Sequence, residues 1–299
     1  MTSSPKMRAL KHSCIIIAVL LLSAYSVVAQ LNETQARRLI ARVAGAELPT
    51  KAVRIKRISN GNAPAATAEI ETAFRFGQNA DAQWVVSEVR VAPDVWEDIN
   101  LIREALGVQS TGESCTAAEP GPEGVLSVRR ARCLIAALFH IVLPSDDVRI
   151  KSVSAINVPL ATSPSATVVA NLTVHFRFAA QNRGALQIVS IRSGSADWVD
   201  VPQVSSNLEQ LKRSRALSEL QTVASALGEF RVSRGYYVAT DNHTVLVDFL
   251  SPRYLSRVIR VDPWHSPYEY VGEHDRFTLR SAGPDRKTNT PDDLVVSQP

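Results

Sequence analysis

Near the end of the chain stands Asp262-Pro263-Trp264-His265-Ser266-Pro267-Tyr268-Glu269-Tyr270, then Phe277-Thr278-Leu279-Arg280-Ser281-Ala282-Gly283-Pro284-Asp285, and after a short gap Asp292-Asp293. Pro263 and Pro267 fix the backbone on either side of Trp264, and Tyr268 and Tyr270 alternate as a short strand does, so the stretch predicts a rigid turn feeding a hairpin. Phe277 and Leu279 alternate with Thr278 and Arg280. Gly283-Pro284 then breaks the strand, and the loop beyond it carries Asp285, Asp292 and Asp293. Three carboxylates within nine residues repel one another unless something positive lies between them. Calcium meets that need, because it takes about six to eight oxygen ligands and tolerates irregular loop geometry, whereas zinc favours His and Cys donors that this loop lacks. The spacing is not that of an EF-hand. The plain alternative is an Asp-rich turn closed by Asx hydrogen bonds, with Arg286 and Lys287 as its neutralising cations.

Upstream, Leu211, Leu217, Leu220, Val223, Ala224 and Leu227 recur at three- and four-residue spacing, which predicts a helix. Gly228 to Gly235, Tyr236 and Tyr237 follow it. The order of helix, Gly-to-Tyr turn, Asp-Pro-Trp, Pro-Tyr, Ser-x-Gly-x-Asp and paired Asp resembles the C-terminal half of the major pseudopilin of type II secretion, the G subunit, over roughly residues 206 to 296. That resemblance implies a calcium ion held by the side chains of Asp285, Asp292 and Asp293, with backbone carbonyls near Ala282 and Thr290. It also implies a link to secretion or pilus-like assembly. The sequence departs from the family in having His265-Ser266 where Gly-Asn is usual, a bulkier residue at a turn that glycine eases. The family's hydrophobic stem, with its processing site and a glutamate at the fifth position, is not read here, so polymerisation into the usual fibre is not expected.

At the other end, Lys6, Arg8 and Lys11 precede an apolar or small run from Ser13 to Val28, and Val27-Val28-Ala29 offers small residues for cleavage after Ala29. Residues 1–29 are therefore expected to be a signal peptide, and the protein periplasmic or secreted. An uncleaved segment would make it a membrane-anchored minor pseudopilin, although the run is shorter than the roughly 20 residues that span a bilayer comfortably. The chain has 33 Lys and Arg against 29 Asp and Glu; three of the basic groups and none of the acidic ones lie in residues 1–29, leaving 30 against 29. With no basic patch interleaved with aromatics, nucleic acid is not expected as a partner. Cys14 leaves with the signal. Cys115 and Cys133 remain, and two alternatives stand: a disulfide, as export permits, or a buried free thiol at Cys133.

The middle of the chain repeats itself. Ala36-Arg37-Arg38-Leu39-Ile40-Ala41 returns as Ala131-Arg132-Cys133-Leu134-Ile135-Ala136, Leu48-Pro49 as Leu143-Pro144, and Val53-Arg54-Ile55-Lys56 as Val148-Arg149-Ile150-Lys151, each 95 positions on. Phe74-Arg75-Phe76 then returns as Phe176-Arg177-Phe178 and Trp96 as Trp198, with the offset grown by seven, as a loop insertion near Pro159 to Ser165 explains. Each copy predicts a helix, Thr34 to Ala46 or Val128 to Phe139, ended by a proline, followed by strands that alternate through Val53 and Ile55, Ile70 to Phe76, and Val89 and Val91, or their counterparts. The expected fold is α+β: two tandem helix-plus-antiparallel-sheet repeats (30–107 and 125–203), joined by a Ser/Gly/Pro/Glu-rich linker (108–124) and followed by a pseudopilin-like helix-plus-small-sheet domain (204–299). The last repeat runs directly into the helix of that domain. Trp96 and Trp198 are expected to anchor the cores.

The five histidines beyond the signal, His140, His175, His243, His265 and His274, are scattered, and no catalytic or nucleotide-binding signature appears. The expectation is an exported, non-enzymatic calcium-binding protein with protein partners. The alternative places an inhibitor or small-ligand carrier activity in the repeats, by analogy with cystatin-like architecture alone.

Overall fold

Asn32 starts the first helix: its side-chain oxygen accepts the Gln35 N–H, and α1 runs Glu33–Ala41 with Ala36 and Ile40 turned inward. The structure, a computed structural model, describes residues 30–61, 63–107, 115, 125–156, 164–181 and 185–298. The expected signal peptide, nearly all of the linker and most of the expected loop insertion lie outside the described residues. α1 stops short of the expected Ala46 because Val43–Gly45 tightens into a 3-10 turn, with Ala44 at a φ of 51°. Four strands follow, β1 (Val53–Asn60), β2 (Pro64–Gln78), β3 (Trp84–Ala92) and β4 (Val95–Asp98), and then α2 (Ile99–Ala105), capped by the Asp98 carboxylate. The next elements come in the same order: α3 (Val128–Leu138), β5 (Val148–Ile156), β6 (Ser165–Ala180), β7 (Leu186–Ser193), β8 (Val199–Asp200) and α4 (Val201–Arg234). Each half thus has one short strand more than the three that alternation predicts.

All eight strands form one sheet, ordered β4-β3-β2-β6-β7-β8, with β1 also paired to β2 and β5 to β6. Its spine is the long antiparallel pair β2 and β6, in register from Ala65 opposite Arg177 to Gly77 opposite Ser165, with Ile70 opposite Leu172 at the centre. β1 and β3 lie end to end along the other edge of β2, and β5 and β7 do the same along β6. Alternation sends Ala66, Ala68, Phe74 and Phe76, with Val168, Ala170, Phe176 and Phe178, to the face where α1 and α3 lay Ile40 and Ile135. The two halves share that core. The opposite face is charged: Glu69 takes Lys56 at 2.8 Å and also Arg149, and Glu71 takes Lys151. Cys115 is bonded to Cys133 on α3, so the disulfide alternative holds.

Trp96 and Trp198 are not core anchors. Each is half-buried outside the apolar cluster and covered by an arginine, Arg75 at 4.1 Å from the Trp96 ring centre and Arg177 at 3.8 Å from that of Trp198. Aromatic recurrence in both halves fits a planar cation contact as well as it fits burial.

α4 joins the two parts of the molecule. It is 34 residues long, begins at the Asp200 cap and ends at Gly235, whose φ of 85° suits the left-handed C-terminal position that glycine fills without strain. Its early turns lie against α2, β7 and β8. Its later face, with Ala216, Leu220, Val223, Leu227 and Phe230, enters a second core built with Leu246 and Leu250 of α5 (His243–Leu250), Trp264, Tyr268, Tyr270 and Leu279. β9 (Glu269–Gly272), β10 (Phe277–Ser281) and β11 (Leu294–Gln298) close that core as a small antiparallel sheet, ordered β11-β10-β9. Among the described residues no helix is long and apolar enough to cross a membrane.

Candidate functional site

Asp262 connects the Asp-Pro-Trp turn to the acidic loop. It is almost wholly buried; one carboxylate oxygen accepts the N–H groups of Trp264 at 3.0 Å and Ser266 at 2.9 Å, and the other accepts the Ser281 hydroxyl at 2.6 Å. The turn is thereby fixed to the end of β10, where the loop begins. Trp264 is buried, and its indole N–H donates to Glu209 of α4 at 3.0 Å. His265 takes a left-handed φ of 68°, the backbone conformation that a glycine would adopt without strain.

The loop returns on itself between β10 and β11. Gly283 has a φ of 65°, and a Cβ there would stand 2.6 Å from the Asp292 carbonyl oxygen, so only glycine allows this approach. Carboxylate oxygens of Asp292, Asp293 and Asp285 lie 2.7, 3.2 and 3.4 Å from one atom, the Thr290 hydroxyl oxygen. Backbone N–H groups hold the loop in this form: Asp285 donates to Asp292 at 3.2 Å, Lys287 to Asp285 at 2.8 Å and Asn289 to Asp293 at 2.9 Å. The Thr290 hydroxyl and the Asp285 N–H hold the Asp292 carboxyl below its ordinary pKa. Two cations stand nearby: Arg280, whose Nε is 3.6 Å from Asp293 and whose guanidinium donates to Asn289 at 2.8 Å, and Arg213 of α4, which donates to the Asp292 carbonyl at 3.4 Å. Lys287 serves the loop through its backbone, not through its ammonium.

The sequence thus brings Asp285, Asp292 and Asp293 together, with the hydroxyl of Thr290 at their meeting point. The Thr290 carbonyl accepts the Asp293 N–H at 3.2 Å, and Ala282 is buried at the loop's root. One hydroxyl has one proton for three anionic acceptors. The donors are all oxygens, which fits a hard cation and not zinc. The carboxylates surround the hydroxyl without being preset as ligands: among the described residues no three His, Cys, Asp or Glu side chains form a metal cluster.

A polar seam that sequence reasoning missed lies beside this turn, because its members are far apart along the chain. Lys212 of α4 meets Glu97 of β4 at 2.6 Å, both buried, and Arg215 meets Asp98 at 2.7 Å. Buried Glu219 accepts the Tyr268 hydroxyl at 2.8 Å, Arg257 at 2.8 Å and Arg215 at 3.2 Å. Burial and the Glu219 charge push the Tyr268 hydroxyl well above its ordinary pKa. A cleft of about 630 Å³ opens on this seam, lined by Trp96, Glu97, Asp98, Arg215, Asp262 and His265. Its carboxylates already have partners within the chain, which makes it a joint between the two parts of the molecule. Of the other histidines, His175 bonds Thr67 at 3.0 Å and His274 stacks on Tyr236.

A helix running into a three-stranded sheet, with an Asp-Pro-Trp turn tied to an acidic loop, defines a C-terminal pseudopilin-like domain. Residues 203–297 match the family of the type II secretion system (T2SS) protein G. Type II secretion system core protein G of Escherichia coli (strain K12) is 25% identical over 123 residues, which cover 37% of this chain and 84% of that protein. The protein of the same name from Pectobacterium carotovorum subsp. carotovorum is 24% identical over 122 residues, covering 36% and 78%. No solved structure matches the chain.

Proposed function

We propose that this is an exported, non-enzymatic protein of the periplasm or the exterior, with a protein-interaction or assembly role linked to secretion, whose pseudopilin-like head is stiffened by calcium. The observation that carries the metal reading is the meeting of three carboxylates at a hydroxyl with a single proton. When bound, calcium would add positive charge at the meeting point of the three carboxylates, beyond what Arg280 and Arg213 bring to the loop's edge. Asp285, Asp292 and Asp293 would hold it with their side chains, and Ala282 and Thr290 with their carbonyls. Gly283 keeps the two ends of the loop in contact, and Asp262 holds the loop's root to the Trp264 turn. The shared sheet of the two halves, joined to this head through α4, provides the surface for partners. The link to secretion rests on the family match of residues 203–297.

Isothermal titration of the chelator-stripped protein tests the metal site. The expected result is saturable heat for one calcium ion in the wild type and none in Asp292→Ala or Asp293→Ala. A wild type that gives no calcium heat, or variants that bind as the wild type does, would remove calcium from the proposal.

A further inference from the structure

On the charged face of the shared sheet the two halves differ in the residue opposite an arginine that both stack on a tryptophan. In the first half Arg75 covers the Trp96 ring and donates to Glu88, its cross-strand neighbour on β3, at 2.8 Å. In the second half Arg177 covers Trp198 in the same way, but the residue opposite it on β7 is Ser190. A second guanidinium, that of Arg192, stands 4.9 Å from the same ring centre, and its buried Nε has no hydrogen-bond partner. Among the described residues neither Arg177 nor Arg192 has a carboxylate within ion-pair distance. Arg177 is exposed and flanked across both ladders by small residues, Ala65 and Ser190, so its fork is open to an incoming group.

We propose that Arg177, Arg192 and Trp198 form a docking site for a carboxylate side chain of an acidic polypeptide, which takes in the second half the place that Glu88 fills in the first. Glu88 is the template: it shows that a carboxylate reaches an arginine laid on tryptophan at this position of the sheet. A guanidinium already stacked on an indole has lost much of its rotamer freedom, so little further ordering opposes a fork-shaped pair with a carboxylate. Glu69 and Glu71, on the same face, are paired with Lys56, Arg149 and Lys151, and so do not compete for the two free arginines. The site is independent of the acidic loop and of calcium.

Anisotropy of fluorescein-labelled hexaglutamate, titrated with the full chain at low salt, tests the site. Arg177→Ala and Arg192→Ala should each weaken binding about tenfold, as expected for loss of a charge-assisted bond. Ser190→Glu should weaken it at least as much while melting no lower than the wild type, because the new carboxylate fills the site from within. Lys151→Ala, on the same face, should bind as the wild type does. Retained binding in Ser190→Glu overturns the proposal, as does absence of binding in the wild type or an equal loss in Lys151→Ala. Displacement by inorganic sulfate or anionic vesicles as effective as that by unlabelled hexaglutamate would also overturn it, by showing an unspecific anion site.

Discussion

Single carboxylates set the geometry of the head. Asp262 satisfies two backbone donors and one hydroxyl in a place closed to water, so Asp262→Ala should leave all three unpaired and cost about 3 kcal/mol in urea unfolding, with the Trp264 emission shifting as the turn loosens. A second residue, Glu97, makes the joint sensitive to acid. Burial pushes its carboxyl up, but the His265 ring 4.0 Å away and the Lys212 ammonium at 2.6 Å outweigh that and leave it below the ordinary carboxylate pKa. A group depressed in the folded state stabilises above its unfolded value of about 4.3, and that contribution fades as pH falls through the folded value. Stability should therefore drop on acidification below about pH 4.3, and Glu97→Gln should flatten that part of the profile; an unchanged slope would show that Glu97 is not the sensor. Some of these roles are legible from sequence and some are not. Asp285, Asp292 and Asp293 are adjacent enough for their repulsion to be read directly, whereas Thr290 enters through its hydroxyl, which composition does not mark as central. Glu219 and Glu97 look like ordinary helix and strand-end charges until the fold buries them.

Among the elements, α4 bears the connection between the two cores. Its apolar positions change face along its length, early turns serving α2 and the sheet and later turns the C-terminal core, so no single stripe announces its extent. The most buried ion pair at the crossover is Lys212–Glu97, with side chains 10% and 7% exposed. Removing one partner leaves a buried uncompensated charge, so Lys212→Met should destabilise by about 3 kcal/mol, while Lys212→Met with Glu97→Leu should recover most of that loss. A double-mutant cycle by denaturant unfolding measures it, and strict additivity of the two losses would mean that the pair does not couple. Strand alternation in β1, β2, β5 and β6 is strong enough to read from Val53, Ile55, Phe74 and their counterparts. β4 and β8, at four and two residues, are too short to carry a period. α5 is signalled only by Asn242, whose side chain caps it, since exposed Val245 and Phe249 blur its inward face.

At the scale of the whole molecule, the pairing of β2 with β6 turns two similar halves into one sheet and one core. Periodicity gives each strand its inward face but not its partner, because the partner lies about a hundred positions away and any strand of matching alternation would satisfy it. The head attached to that sheet has its own core, and its last strand starts immediately after Asp293, so the acidic loop is the connection that brings β11 back onto β10. A ligand that binds only the folded head raises its melting temperature by mass action. The most direct test is differential scanning calorimetry of the protein with calcium in large excess and with chelator. The transition of the head should rise by about 10 °C in calcium for the wild type and not at all for Asp292→Ala. Identical melting of the wild type in the two conditions would contradict the account.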